Sequence, residues 1–171
     1  EHLQAAANAY PQDADVLIAM YRLPNADAAW QTQTKENISA AVAEFRGEFE
    51  ASKAAVDGAD NEQSREDALR VHAINCNQYA WLVGNTFGDY QEALKLSQES
   101  VSICGQLPEM KSSRAGFLDT LGRCYFGAGD VANAVKHQRM AVELNPISWQ
   151  IRRQLQVFEK AAVDRGVKLP L

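Results

Sequence analysis

His72 and Cys76 are the first residues whose types and spacing could do chemistry. Four positions apart, they fall on one face of a helix, where an imidazole nitrogen and a thiolate could share a metal ion. A closed zinc site needs two further ligands, and His2 and His137 have no partners at ligand spacing. The pair therefore reads as helix packing, and no metal is expected. Cys76 and Cys104 also raise nucleophilic chemistry, which needs a base close by to generate the thiolate. His137 could serve, but no motif around either cysteine places it there. No phosphate loop, dinucleotide fingerprint or Gly-x-Ser-x-Gly elbow occurs. Glu99 and Glu143 read as solvated charges near helix ends. The chain is expected to be no enzyme and to carry no cofactor.

Bulk charge narrows the partners. The 171 residues hold 17 Lys and Arg against 22 Asp and Glu, a formal net charge of -5. A mildly acidic chain lacks the basic face that nucleic acid or an anionic membrane surface requires. No apolar run is long enough for a transmembrane helix. No signal peptide is visible, and the sequence opens at Glu1 inside a helical pattern, which reads as a piece of a longer, cytoplasmic protein. Three well-separated cysteines, Cys76, Cys104 and Cys124, form no disulfide framework and read as small buried hydrophobes. A Cys76–Cys124 bridge is the alternative.

The elements that would position any site are all helical. Gly88-Asp89 and Gly129-Asp130 each read as a turn followed by a helix N-cap, with a small residue, Ala93 or Ala134, four positions after the Asp. Upstream of the second turn, Leu118, Leu121, Gly122 and Tyr125 share one helix face, with Gly122 at the point of closest approach. Cys76, Tyr79, Ala80 and Val83 repeat that spacing upstream of the first. Each copy is a helix–turn–helix.

This pattern resembles the tetratricopeptide repeat family. Ala115 to Ser148 fits the roughly 34-residue frame without gaps, with Leu118, Leu121, Gly122, Tyr125, Gly129, Asp130, Ala134, Ala141 and Pro146 in the expected places. The copy at Ala73–Ile103 departs from it, with a longer inner turn and a longer exit, and both copies carry a polar residue, Ser97 or Gln138, where the family has an aromatic.

Outside these copies, Tyr10-Pro11 looks like the end of an earlier repeat, and Leu17, Met20 and Tyr21 would face inward from the next helix. Ile38, Val42, Phe45, Phe49, Ser52 and Val56 form a heptad-like stripe that wants one long partner helix. A helix of about 30 residues would reach about 45 Å. A turn near Gly58 and a capping-box start at Ser64-Arg65-Glu66-Asp67 follow. In the last helix Trp149, Ile151, Leu155 and Phe158 would face inward. The expected architecture is an all-α, tetratricopeptide-type helical-repeat solenoid with an extended antiparallel helical hairpin. Its parts are a partial repeat over 1–24, a hairpin insertion over 25–72, repeats over 73–104 and 115–148, and a capping helix over 149–166.

The resemblance implies a concave groove lined by the first helix of each repeat. Helical geometry beside the packed faces puts Asn77, Gln78, Trp81 and Asn85, then Asp119, Thr120 and Arg123, then Arg153, on that side. Amides suit an extended backbone, Trp81 is an anchor of the kind that dominates interfaces, and arginines can fork onto a carboxylate. The expected function is a non-catalytic protein–protein interaction scaffold. It would bind an acidic or C-terminal peptide segment, with Arg123, Asn77, Trp81, Asn85 and Arg153 carrying recognition. The alternatives are a structural element that makes a homo-oligomer through the hairpin, and an accessory domain of a larger enzyme.

Overall fold

The computed structural model describes residues 2–169, so Glu1, the first residue of the partial repeat expected over 1–24, lies outside the described residues. Within them the chain is 82% helix and has no strand. Eight α-helices follow in order: α1 (His2–Ala9), α2 (Ala14–Tyr21), α3 (Ala28–Asp57), α4 (Glu62–Asn85), α5 (Tyr90–Gln106), α6 (Arg114–Gly127), α7 (Val131–Leu144) and α8 (Trp149–Asp164). A 3-10 turn, Pro108–Ser113, joins α5 to α6.

Side-chain oxygens fix where the helices begin. Asp13, Asp27, Asp89, Asp130 and Ser148 each accept a backbone N–H of the following first turn, which satisfies donors that the helix itself cannot. The glycines before two of these caps are required by backbone conformation, since Gly88 sits at φ 144° and Gly129 at φ 89°. At α4 the start differs from the expected one. The cap is Asn61, three residues earlier, and Ser64 is its reciprocal partner rather than the cap. Asn61 Oδ1 reaches the Ser64 N–H at 2.9 Å, so the polar turn gives up residues 62–63 to the helix.

The long hairpin exists, and its apolar stripe is covered within the chain. Of the stripe, Ile38, Phe45, Phe49 and Ser52 are buried along α3 and Val42 and Val56 are half-buried, and α3 packs on α2 and α4. α4 runs unbroken from Glu62 to Asn85, so the hairpin arm and the helix carrying Asn77, Trp81 and Asn85 are one element. α2 contacts α4 and α4 contacts α6, while α3 packs against α2 and α4, α5 against α4 and α6, and α7 against α6 and α8. α2, α4 and α6 therefore neighbour one another in turn, α8 reaches α6 through Gln154 and Arg123, and the odd-numbered helices α3, α5 and α7 fill the places between.

The main core gathers Leu17, Met20, Ile38, Tyr79, Leu82 and Val83, all at 1% exposure or less. Two expected core aromatics lie outside it. Trp149 is 58% exposed because it opens α8 directly after its cap, and Ile151, half a turn on, takes the buried place. Tyr21 is 39% exposed because it closes α2, and its ring meets Phe87 at 5.8 Å between centroids. All three cysteines are buried free thiols, with no Cys76–Cys124 bridge.

Candidate functional site

The neighbouring faces of α2, α4, α6 and α8 meet in a polar knot around Arg123. Arg123 lies one turn after Asp119 on α6, and its Nε donates to Asp119 Oδ2 at 3.0 Å. Its Nη1 donates to Asn85 Oδ1 and to Gln154 Oε1, both at 2.8 Å. The guanidinium stands over the Trp81 ring, 4.8 Å from its centroid. Trp81 in turn donates its indole N–H to Asp15 Oδ1 at 2.8 Å. The Asn85 amide is oriented by its own helix, with Nδ2 donating to the Trp81 carbonyl at 2.9 Å, which leaves Oδ1 for the arginines.

A second guanidinium shares that oxygen. Arg22, the residue that caps the end of α2, donates through Nη2 to Asn85 Oδ1 at 2.5 Å. Burial, and then the charge of Arg123, push the Arg22 pKa below its ordinary value, while Asp119 acts the other way. Two guanidiniums thus converge on one carboxamide, with the Asp119 carboxylate as the one anion the Arg123 guanidinium pairs with. The other Asp119 oxygen is taken by the Gln138 amide, whose Nε2 also donates to the Ile151 carbonyl at 3.1 Å.

Two cavities open on this knot. The first, about 460 Å³, is lined by Asp15, Asn77, Gln78, Trp81, Asp119 and Thr120 among others. The second, about 420 Å³, has Arg22, Asn85, Thr86, Arg123, Gln154 and Val157 in its walls. Trp81 and Asp119 line the first and touch Arg123, which lines the second, so the knot is the wall between the two. Asn77 Oδ1, buried at the edge of the first cavity, has no hydrogen-bond partner among the described residues.

No protein-family profile, curated protein or solved structure matches this chain. The site is therefore read from its own geometry.

Seven of the eight residues expected on the groove line the two cavities: Asn77, Gln78, Trp81, Asp119, Thr120, Asn85 and Arg123. Arg153 lines neither and is exposed on α8. Arg123 itself is only 7% exposed. It was expected to carry recognition of a partner, yet its Nε and Nη1 donate to Asp119, Asn85 and Gln154, so it also ties α4, α6 and α8 together. Arg22 was missed by sequence reasoning. Its one signal was a basic residue at the end of a helix, which usually means no more than a favourable charge near the dipole.

Elsewhere, Glu99 is not the solvated charge expected. Its carboxylate lies 3.1 Å from His72 Nε2, beside the His72–Cys76 pair. Burial, and then the Glu99 charge, push the Cys76 thiol up to about 12.

Proposed function

We propose that the chain is a non-catalytic binding module of the tetratricopeptide type, and that the cavities on the two sides of the Arg123 knot take an acidic or C-terminal segment of a partner protein. The carrying observation is the convergence of Arg22 and Arg123 on Asn85 Oδ1, with Asp119 as the carboxylate that answers them. The second cavity has both guanidiniums and, among the described residues, no carboxylate in its wall, a local positive site in a chain whose total charge is negative. A carboxylate brought by a partner would complete the set through short, charge-assisted hydrogen bonds. Trp81, half-buried and stiffened by Asp15 and Arg123, offers an apolar wall that is already oriented. Gln78 and the unpartnered Asn77 Oδ1 supply groups for a backbone. The repeat resemblance supports the same reading, since alternating helices give the even-numbered ones a shared face.

The hairpin as an oligomer contact loses its motive, because the stripe Ile38–Ser52 is spent on α2 and α4. The experiment for the groove is a peptide array with free C-termini, spanning acidic, neutral and basic sequences, probed with wild type and with Arg22→Glu. Arg22 is the arginine to change, because its outward position spares the core. Wild type should select acidic peptides, and Arg22→Glu should lose them. Selection of neutral or basic peptides, or equal selection by both proteins, would remove the reading.

A further inference from the structure

We propose that His72, Cys76 and Glu99 form a binding site for one transition-metal ion of the zinc class, with a fourth position left to solvent. The site is separate from the groove and stands without it. His72 and Cys76 come from α4 and Glu99 from α5, and one ligand atom of each lies within 4.8 Å of the others. It is the one such His, Cys and carboxylate group among the described residues.

Hydrogen-bond accounting leaves room for a cation between His72 and Glu99. Ser52 on α3 donates its hydroxyl to the Phe49 carbonyl at 2.9 Å. With that proton spent, Ser52 Oγ can only accept from His72 Nδ1, 3.0 Å away, so Nδ1 carries the ring proton. With Nδ1 protonated, Nε2 and Glu99 Oε1, 3.1 Å apart, share a cation, either a second ring proton or a metal ion. Cys76 Sγ, 3.6 Å from the same nitrogen, is the third ligand that a metal ion would use and a proton would not. Ser52 plays the part that outer partners play in metal sites, holding the tautomer that frees the other nitrogen for the ion.

The spacing suits zinc. Bond lengths of about 2.0–2.3 Å at tetrahedral angles place N and O ligands about 3.4 Å apart and N and S ligands about 3.6 Å apart. The observed separations are 3.1 and 3.6 Å. Sγ is also 3.8 Å from Nδ1, so the thiol stands beside the ring and swings toward Nε2 to close the set. The imidazole and thiolate favour zinc-class ions over magnesium or calcium. Glu99, 37% exposed at its side chain, gives the ion its way in.

Cobalt(II) titrated into the folded, metal-free protein tests this, because thiolate-to-cobalt charge transfer absorbs in the near ultraviolet only when a cysteine ligates. The expected result is a band that saturates at one equivalent and is displaced by zinc but not by magnesium. Cys76→Ser should abolish the band, and Cys104→Ser should retain it. Glu99→Gln, a change at the exposed side of the site, should weaken cobalt binding by at least about tenfold, the scale set even by lost outer-shell partners. Absence of the band at excess cobalt, with circular dichroism showing the wild type folded, would overturn the site and leave a proton as the shared cation. A band that persists in Cys76→Ser would do the same. If Cys76→Ser does not fold, an unchanged cobalt affinity in Glu99→Gln is the overturning result.

Discussion

Gly122→Ala puts the packing of α6 on α7 to a quantitative test. A Cβ at Gly122 would sit 2.7 Å from Gln138 Oε1, 3.3 Å from the Ala134 carbonyl oxygen and 3.5 Å from Phe158. The carbonyl belongs to backbone, so relief must come from Gln138. That side chain is tied, because its Nε2 faces two acceptors, Asp119 Oδ1 and the Ile151 carbonyl, and cannot turn without losing both. Alanine gains about 0.8–1.0 kcal/mol of helix propensity over glycine. Overpacking costs about 1–3 kcal/mol, and stranding a buried amide or carboxylate costs about 1–3 more. The net is a loss of about 1–5 kcal/mol, a fall of roughly 2–20 °C at about 2–4 °C per kcal/mol for a chain of this size. Gly47→Ala is the matched control, since a Cβ there meets nothing within 4 Å on the long helix α3. It should raise the melting temperature by about 2–4 °C through propensity alone. Thermal and urea unfolding of both variants, followed by far-ultraviolet circular dichroism, gives the comparison. A Gly122→Ala protein at least as stable as wild type, with Gly47→Ala stabilised as expected, would refute the close approach and the tied glutamine together.

Arg123→Ala should destabilise the fold by about 3–5 kcal/mol, because it leaves the 8%-exposed Asp119 side chain without its cation; Arg153→Ala should stay within about 0.5 kcal/mol, and urea midpoints distinguish the two. Burial pushes the Cys124 thiol up to about 12, above the unfolded value of about 8.5, so the unfolded chain releases that proton first as pH rises. Its contribution to stability is therefore full below about pH 8.5 and is lost as pH climbs toward about 12. Labelling of Cys124 near pH 8 should track unfolding, and rapid modification of the native protein, read by mass spectrometry, would contradict its burial. Limited proteolysis should cut first between Gly58 and Asn61, the exposed turn that joins α3 to α4; early cuts within Ile38–Phe49 would mean that α3 is not stably packed.

Features set by local chemistry were legible in the sequence. Gly88-Asp89 and Gly129-Asp130 marked two helix starts, because a positive-φ glycine and a carboxylate cap act over a few residues. The stripe from Ile38 to Ser52 announced a long helix through its spacing alone. Gly122 was legible as a close approach because it interrupts the large residues Leu118, Leu121 and Tyr125 of its face. Features that depend on which helices meet were not. Glu99 looked like any surface acid until α5 lay on α4 and brought it to His72. Arg22 and Asn85 are 63 residues apart in sequence, and neither carries a signal for the other. Arg123 was expected on the groove side, and its burial comes from Gln154 on α8 and Asn85 on α4, which one helix's periodicity cannot reveal. Trp149 and Tyr21 failed for a related reason, since periodicity gives a direction but not where the neighbouring helix ends.

The groove is the central claim, and nuclear magnetic resonance mapping of the strongest acidic peptide from the array tests it most directly. Saturable shifts are predicted at the Trp81 indole N–H, the Asn77 and Asn85 side-chain amides and the Arg22 guanidinium. The indoles of Trp30 and Trp149 and the amides of Ile38–Phe49 should stay unmoved. Shifts concentrated on Trp149 and the outer side of α8, or along α3, or no saturable shift at all, would contradict it.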